Sequence, residues 1–209
     1  AWDIGVAGVA RRLATALPAF VILQTYSRLV IDCNRPLHVK SSIVERSEYT
    51  EVPGNVGLTT SQVTRRVDEV FLPYHQRIER ELEERARSGR STIFVALHSF
   101  TPRFMGTTRP WHVGVLYNRD TRLARLMLEL FRREGDLVVG DNEPYQVSDL
   151  SDYGVVQYGE RRGLPHVELE IRQDLIADDL GQAVWAERLT RLLQSARETL
   201  EMTLDYAPR

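Results

Sequence analysis

The chain predicts an α/β fold, with helices and strands alternating around a largely parallel or mixed sheet that is covered on both faces. Three observations carry this. Apolar residues recur at helical spacing in several long segments, short β-rich runs stand between them, and polar clusters follow the ends of those runs. The clusters are "DCNRP", "LHSF", "GDNEPY" and "EIRQD". In open α/β sheets ligands bind beyond the carboxyl ends of strands, so the recurrence points to one shared site.

The elements follow in order. From Ile4 to Leu17, Val6, Val9, Leu13 and Leu17 share a helical stripe, and Pro18 stops it. Two β-rich runs, 19–25 and 28–33, are expected as strands. Residues 36–58 lack sustained periodicity and contain "PGN", so this long loop is a place to expect function. Thr59 and Gln62 offer a capping box to a long amphipathic helix carrying Val63, Val67, Val70, Phe71, Ile78 and Leu82. Pro73 should bend that helix, and "SG" at 88–89 closes it. A strand over 92–97 leads into a loop rich in Thr, Pro and Arg, and a second strand covers 112–117. Asp120 can cap a helix over 121–133. A short strand at 137–139, a short helix near 149–158, an alternating strand at 166–172 and an amphipathic helix at about 178–200 complete the reading. One domain is the natural prior for 209 residues.

Composition excludes several classes. A net charge of −2 and a pI near 6.3 leave no basic footprint for nucleic acid. No apolar run is long enough for a membrane span, and no signal-peptide pattern opens the chain. The single cysteine, Cys33, rules out an internal disulfide framework and a multi-cysteine zinc site, and it fits a reducing, cytoplasmic setting. Nothing in the residues opposes a homo-oligomer. The glycines form neither a dinucleotide fingerprint nor a P-loop, and Ser99 lacks a nucleophile-elbow context.

Chemistry concentrates at the strand ends. His98 closes a strand and can give a neutral imidazole nitrogen to a metal, or serve as a hydrogen-bonded terminus. Arg35 offers a planar fork for a carboxylate with Asn34 as a donor beside it, unless Arg35 pairs with Asp32. Arg28 could stabilise an oxyanion if it faces the site. Glu168, Glu170 and Arg172 share one face of "HVELEIR", opposite Val167, Leu169 and Ile171. Two carboxylates on a buried-looking strand are costly unless paired or functional. Glu170 and Arg172 could form an ion pair; alternatively, one glutamate is a general base for a metal-bound water and the other supports it. Tyr145 could hydrogen-bond a substrate group, and Trp111 with His112 could line a pocket.

Taken together, "AWDIG", "SRLVIDCNRPL", "VPGNVGL", "LHSFTP", "RPWHVGVLYNRD", "VVGDNEPY" and "GLPHVELEIRQDL" resemble the N-formylglutamate amidohydrolase family, in matching order across nearly the whole chain. The resemblance implies a three-layer α/β/α hydrolase of the zinc-carboxypeptidase kind with one zinc ion. It implies that Asn34 and Arg35 bind the substrate carboxylate, His98 ligates zinc, Glu170 is the catalytic base and Arg28 stabilises the oxyanion. Tyr145 and Arg172 join the substrate-binding group. The first zinc ligands of related enzymes come from an N-terminal strand and loop that these residues do not show. The expectation is therefore a single domain, 1–209, lacking an N-terminal segment, with Asp3 near the expected ligand position. The implied reaction is hydrolysis of an N-formyl or N-acyl acidic amino acid, foremost N-formyl-L-glutamate to formate and L-glutamate in histidine breakdown. The alternatives are a metal-free carboxylate-binding homologue and an amidohydrolase for another N-acyl amino acid.

Overall fold

The computed structural model describes residues 2–205. Helix α1 (Val6–Ala16) buries Val6, Val9 and Leu13, the stripe that the spacing predicts. Gly5 precedes it at φ +81°, and a Cβ there would lie 2.0 Å from the carbonyl oxygen of Ile176. Glycine alone allows that backbone approach, which seats the start of α1 against the segment following the last strand.

The runs 19–25 and 28–33 are not strands. Apolar and β-branched composition is not enough, since a strand also needs a neighbour to pair with; residues 19–25 are exposed or half-buried, and only 31–33 of the second run are buried. Around 28–33 the backbone polar groups are met by side chains and turns instead. Asn55 Nδ2 donates to the carbonyls of Leu29 (2.8 Å) and Val44 (2.6 Å), Arg66 donates to Val30 O (2.7 Å), and Val30 N–H closes a turn onto Ser27. Ile31 and Cys33 bury themselves against Val70 and Phe71. The segment 36–58 is partly built as well, with a hairpin of β1 (Arg46–Ser47) and β2 (Thr50–Glu51). The Asn of "PGN" is a buried structural clamp rather than a functional group in an open loop.

Helix α2 (Thr60–Arg66) opens on the expected capping box between Thr59 and Gln62. It widens into a π-turn at Val67–Phe71 before α3 (Leu72–Arg87). Pro73 cannot donate to a carbonyl one turn back, and the widened turn stands just before it, where the sequence predicts a bend. The remaining elements are β3 (Phe94–Phe100), the hairpin β4 (Arg103–Phe104) with β5 (Thr107–Thr108), β6 (Val113–Leu116), α4 (Arg122–Arg133), β7 (Val139–Asp141), β8 (His166–Arg172) and α5 (Asp179–Asp205). The helix expected near 149–158 is a π-turn at Val155–Glu160. Asp120 accepts from Arg122 N–H (3.0 Å) at the start of α4, close to its expected capping role.

The main sheet has the order β3-β8-β6-β7. β8 is parallel to β3 and antiparallel to β6, while β6 and β7 are parallel, so the sheet is mixed. Val167, Leu169 and Ile171 project into the larger core with α1, α4 and α5. On the other face Phe94 packs with Ile78 and Leu82 of α3 and with Tyr158. This gives the three expected layers. Among the described residues no helix is long and apolar enough to cross a membrane.

Candidate active site

Register brings the site together first. His98 on β3 stands directly beside Glu170 on β8, and Ala96 beside Glu168. Because side chains alternate along a strand, His98, Glu168 and Glu170 share the face opposite the large apolar core. On the far side of β8, Gly114 of β6 is the partner of Glu170. A Cβ on Gly114 would meet the Glu143 carbonyl oxygen at 2.1 Å. The missing side chain lets the loop after β7 lie across the strand end, carrying Tyr145 with it.

Asp3 lies just before α1, and Ser99 Oγ holds the neighbouring Ile4 carbonyl at 2.9 Å. The Asp3 carboxylate faces His98 Nδ1 at 2.7 Å. Burial pushes the Asp3 carboxyl upward, but His98 and Arg28 outweigh it and hold its pKa below the usual value. Burial alone would lower the His98 pKa; the Asp3 hydrogen bond and the charges of Glu168, Asp3 and Glu170 instead raise it well above normal. Both glutamates are buried. Burial raises Glu168 to about 7, against the pull of His98 and with a further push from Asp152. Burial also raises Glu170 well above a normal glutamate, against the pull of His98, with Glu168 and Asp3 adding like charge. Glu170 Oε2 is a buried oxygen without a hydrogen-bond partner among the described residues.

The arginines differ in how they are committed. Arg28 Nη2 donates to Asp32 at 2.5 Å and lies within electrostatic reach of Asp3 and Tyr145. Arg35 thus leaves Asp32 to Arg28. Its Nη1 donates to the carbonyls of Ser151 and Asn34 and sits 3.8 Å from Asp152, while Nε and Nη2 have no partner among the described residues. Asn34 is fully engaged: its Oδ1 accepts from Tyr153 and Gly154 N–H, and its Nδ2 donates to Asp152 (3.2 Å) and Glu168 (3.4 Å). Asn34 therefore ties the loop at 151–154 to Glu168. Arg172 does not pair with Glu170; it binds Asp174 (2.8 Å) and the Pro110 carbonyl (3.2 Å).

Trp111 and His112 serve the β6–β7 junction. Trp111 packs where a Cβ of Gly140 would be, and His112 Nδ1 accepts from Val138 N–H at 2.9 Å. Two residues that the sequence reading passed over stand in the cluster. Asp152 is buried beside Asn34, and Arg109 is buried and donates to the Tyr145 hydroxyl at 2.9 Å. A cleft of about 780 Å³ opens beside Asp152 and Tyr153, but His98, Glu168 and Glu170 do not line it. The cluster of ionisable groups, not that cleft, marks the candidate site.

Residues 1–177 match the N-formylglutamate amidohydrolase family. The chain belongs to this family. A solved gene product of Agrobacterium tumefaciens is 36% identical to this amidohydrolase-family chain and superposes at a TM-score of 0.92, covering 96% of it and 79% of its own length. The crystal structure of N-formylglutamate amidohydrolase from Ralstonia eutropha matches at a TM-score of 0.66 with 19% identity, covering 92% of this chain and 81% of that one; at that identity the likeness is one of fold. No curated protein matches the chain significantly.

A zinc ion of the kind implied for the family would take three protein ligands in a catalytic site. His98 and Asp3 offer an imidazole and a carboxylate 2.7 Å apart, two donors of the right type, with the orphaned Glu170 oxygen on the neighbouring strand. Among the described residues no group of three His, Cys, Asp or Glu is arranged to hold a metal. The pair fits part of such a site.

Proposed function

We propose that the protein hydrolyses the amide bond of an N-formyl or related N-acyl acidic amino acid, with N-formyl-L-glutamate as the leading substrate. The observation that carries this reading is the ladder register that sets His98 beside Glu170, with Asp3 on His98 Nδ1, in a chain of this family. His98 and Asp3 would contribute two of the donors that hold a zinc ion. When bound, that ion supplies Lewis acidity and the positive charge that favours ionised carboxylates nearby.

The chain's own groups perform the rest. Ionised Glu170 accepts a proton from the attacking water at Oε2, the oxygen without a partner among the described residues. The water oxygen adds to the acyl carbon, the C–N bond breaks, and the proton passes from Glu170 to the departing amine. Arg28, held by Asp32, faces the oxyanion formed on the way. Arg35 is oriented through Nη1 and presents its Nε–Nη2 edge to a substrate carboxylate. Asn34 supports this by fixing the loop that orients Arg35, and Tyr145 contacts the substrate from above the strand ends. Arg172 acts from outside the reacting centre, bracing the loop at Pro110. With formate and L-glutamate as products, the setting we propose is the cytoplasm and the breakdown of histidine.

The test is formate release from N-formyl-L-glutamate by the full-length protein with zinc. Glu170→Gln should lower kcat by about 10²–10⁴-fold, the usual contribution of a general base, while bound zinc measured by elemental analysis stays unchanged. Retention of most activity would remove Glu170 from the role of base. The two-donor count favours a second reading, a metal-free protein that binds acidic ligands through Arg35. Stoichiometric zinc in active protein eliminates it.

A further inference from the structure

We infer that Arg109, with Tyr145, binds the side-chain carboxylate of the acidic substrate and so sets the preference for acidic over neutral N-acyl amino acids. This rests on the hydrolytic reading above and names the determinant of its specificity.

The argument starts from charge balance. Arg28, Arg35 and Arg172 each have an acidic neighbour, Asp32, Asp152 and Asp174, and all three are at least partly exposed. Arg109 is buried, 8% exposed, and has no carboxylate within ion-pair distance among the described residues. Its one side-chain hydrogen bond among the described residues runs from Nη1 to the neutral hydroxyl of Tyr145. A buried guanidinium without a counter-ion is costly to keep, and an incoming anion relieves that cost.

Shape narrows the anion. The guanidinium carbon lies 4.7 Å from the ring centre of Phe104 and 4.8 Å from that of Tyr145, with Phe100 at 5.9 Å. Aromatic rings thus crowd the cation, and the polar approach left to a ligand is the N–H edge not bonded to Tyr145. That edge, Nε and Nη2, has no partner among the described residues and matches a planar carboxylate.

Position then assigns which carboxylate. Phe100 lies two residues beyond His98 on β3 and on the same face, roughly 7 Å further along the strand. Five covalent bonds separate the acyl carbon of an N-acylglutamate from its side-chain carboxyl carbon, a reach of about 6 Å at ordinary bond lengths. A substrate with its acyl carbon beside His98 and Glu170 places its distal carboxylate near Arg109. Tyr145 bridges the two ends, being within electrostatic reach of Glu170 and bonded to Arg109.

The experiment compares N-formyl-L-glutamate with N-formyl-L-glutamine, its neutral isostere, for wild type, Arg109→Gln and Tyr145→Phe. It adds calorimetric binding of glutarate, a dicarboxylate that cannot react. In Arg109→Gln the KM for N-formyl-L-glutamate should rise about 10²-fold with kcat changed far less, and the preference over the glutamine substrate should collapse. Glutarate binding should be lost in the same variant. Equal losses on both substrates, or glutarate binding indifferent to Arg109, would overturn the assignment. If Arg109→Gln fails to fold, Tyr145→Phe decides: a KM increase confined to the acidic substrate supports the subsite, and an equal change on both refutes it. Arg109-dependent glutarate binding in a wild type that hydrolyses neither substrate would sink the hydrolytic reading and leave the subsite standing.

Discussion

The two faces of β8 are equally buried and energetically opposed. Val167, Leu169 and Ile171 are fully buried in an apolar core, where each removes surface from water at a gain of about 25 cal/mol per Å². His166, Glu168 and Glu170 on the reverse face are buried almost as completely, yet His166 Nε2 and Glu170 Oε2 have no hydrogen-bond partner among the described residues. Burial of that kind opposes folding. Seven consecutive residues thus hold a scaffold on one side and a costly polar face on the other, where the pKa values of Glu168 and Glu170 are raised. The difference teaches that depth in the fold does not identify a stabilising residue; the chemistry of what is buried does.

Three substitutions test this contrast in metal-free protein. Leu169→Ala should cost about 2–5 kcal/mol in denaturant unfolding, the ordinary penalty for a buried leucine. A loss below about 1 kcal/mol would show that the apolar face carries less than its packing implies.

Next in size is the pH dependence set by Glu168. Folded Glu168 keeps its proton to about 7, whereas an ordinary glutamate releases it near 4.5. The folded state therefore binds more protons across that window, and stability falls as pH rises through it. The span corresponds to at most about 3 kcal/mol. Glu168→Gln should flatten the slope in melts between pH 4.5 and 7, and an unchanged slope would assign the titration to another group.

The smallest effect is expected at Asp3. Its hydrogen bond helps keep His98 protonated, so Asp3→Asn should lower the His98 pKa, read by NMR titration of the ring. The stability that protonated His98 contributes is present below its unfolded value of 6.5 and is lost as pH rises through the folded value. Removing a charged hydrogen bond should cost about 1.5–3 kcal/mol at pH values between the Asp3 and His98 titrations, where both groups are charged. An unmoved His98 titration would mean that Glu168 and Glu170 alone set it.

Legibility in the sequence followed how local each feature is. β8 was readable to its bounds because alternation over "HVELEIR" is a property of the strand itself, and the same alternation placed Glu168 and Glu170 on one face. The capping box at Thr59 was equally local. The run 28–33 misled because its composition reports burial, whereas its carbonyls are met by Asn55 and Arg66 from distant segments. Arg109 and Asp152 went unread for a related reason: each lies in a loop whose position depends on contacts elsewhere. A useful hint for Arg109 was its place in "TTRPW", where Pro110 restricts the residue before it to extended backbone.

By itself, then, the sequence determined the alternation of helices and strands, the two faces of β8, the histidine at the end of β3 and, through ordered motifs, the family. Each of these is written in neighbouring residues, because period, caps and motif order act along the chain. Only the tertiary structure decided which arginines are already paired, that Asn34 serves as a loop brace and that Asp3 meets His98. It also brought Arg109 into an aromatic cage beside Tyr145. Those outcomes depend on strand register and on the close approach of Glu143 to Gly114, which join residues far apart in the chain. The charge balance of a buried cation can be drawn up only when every neighbour in space is known.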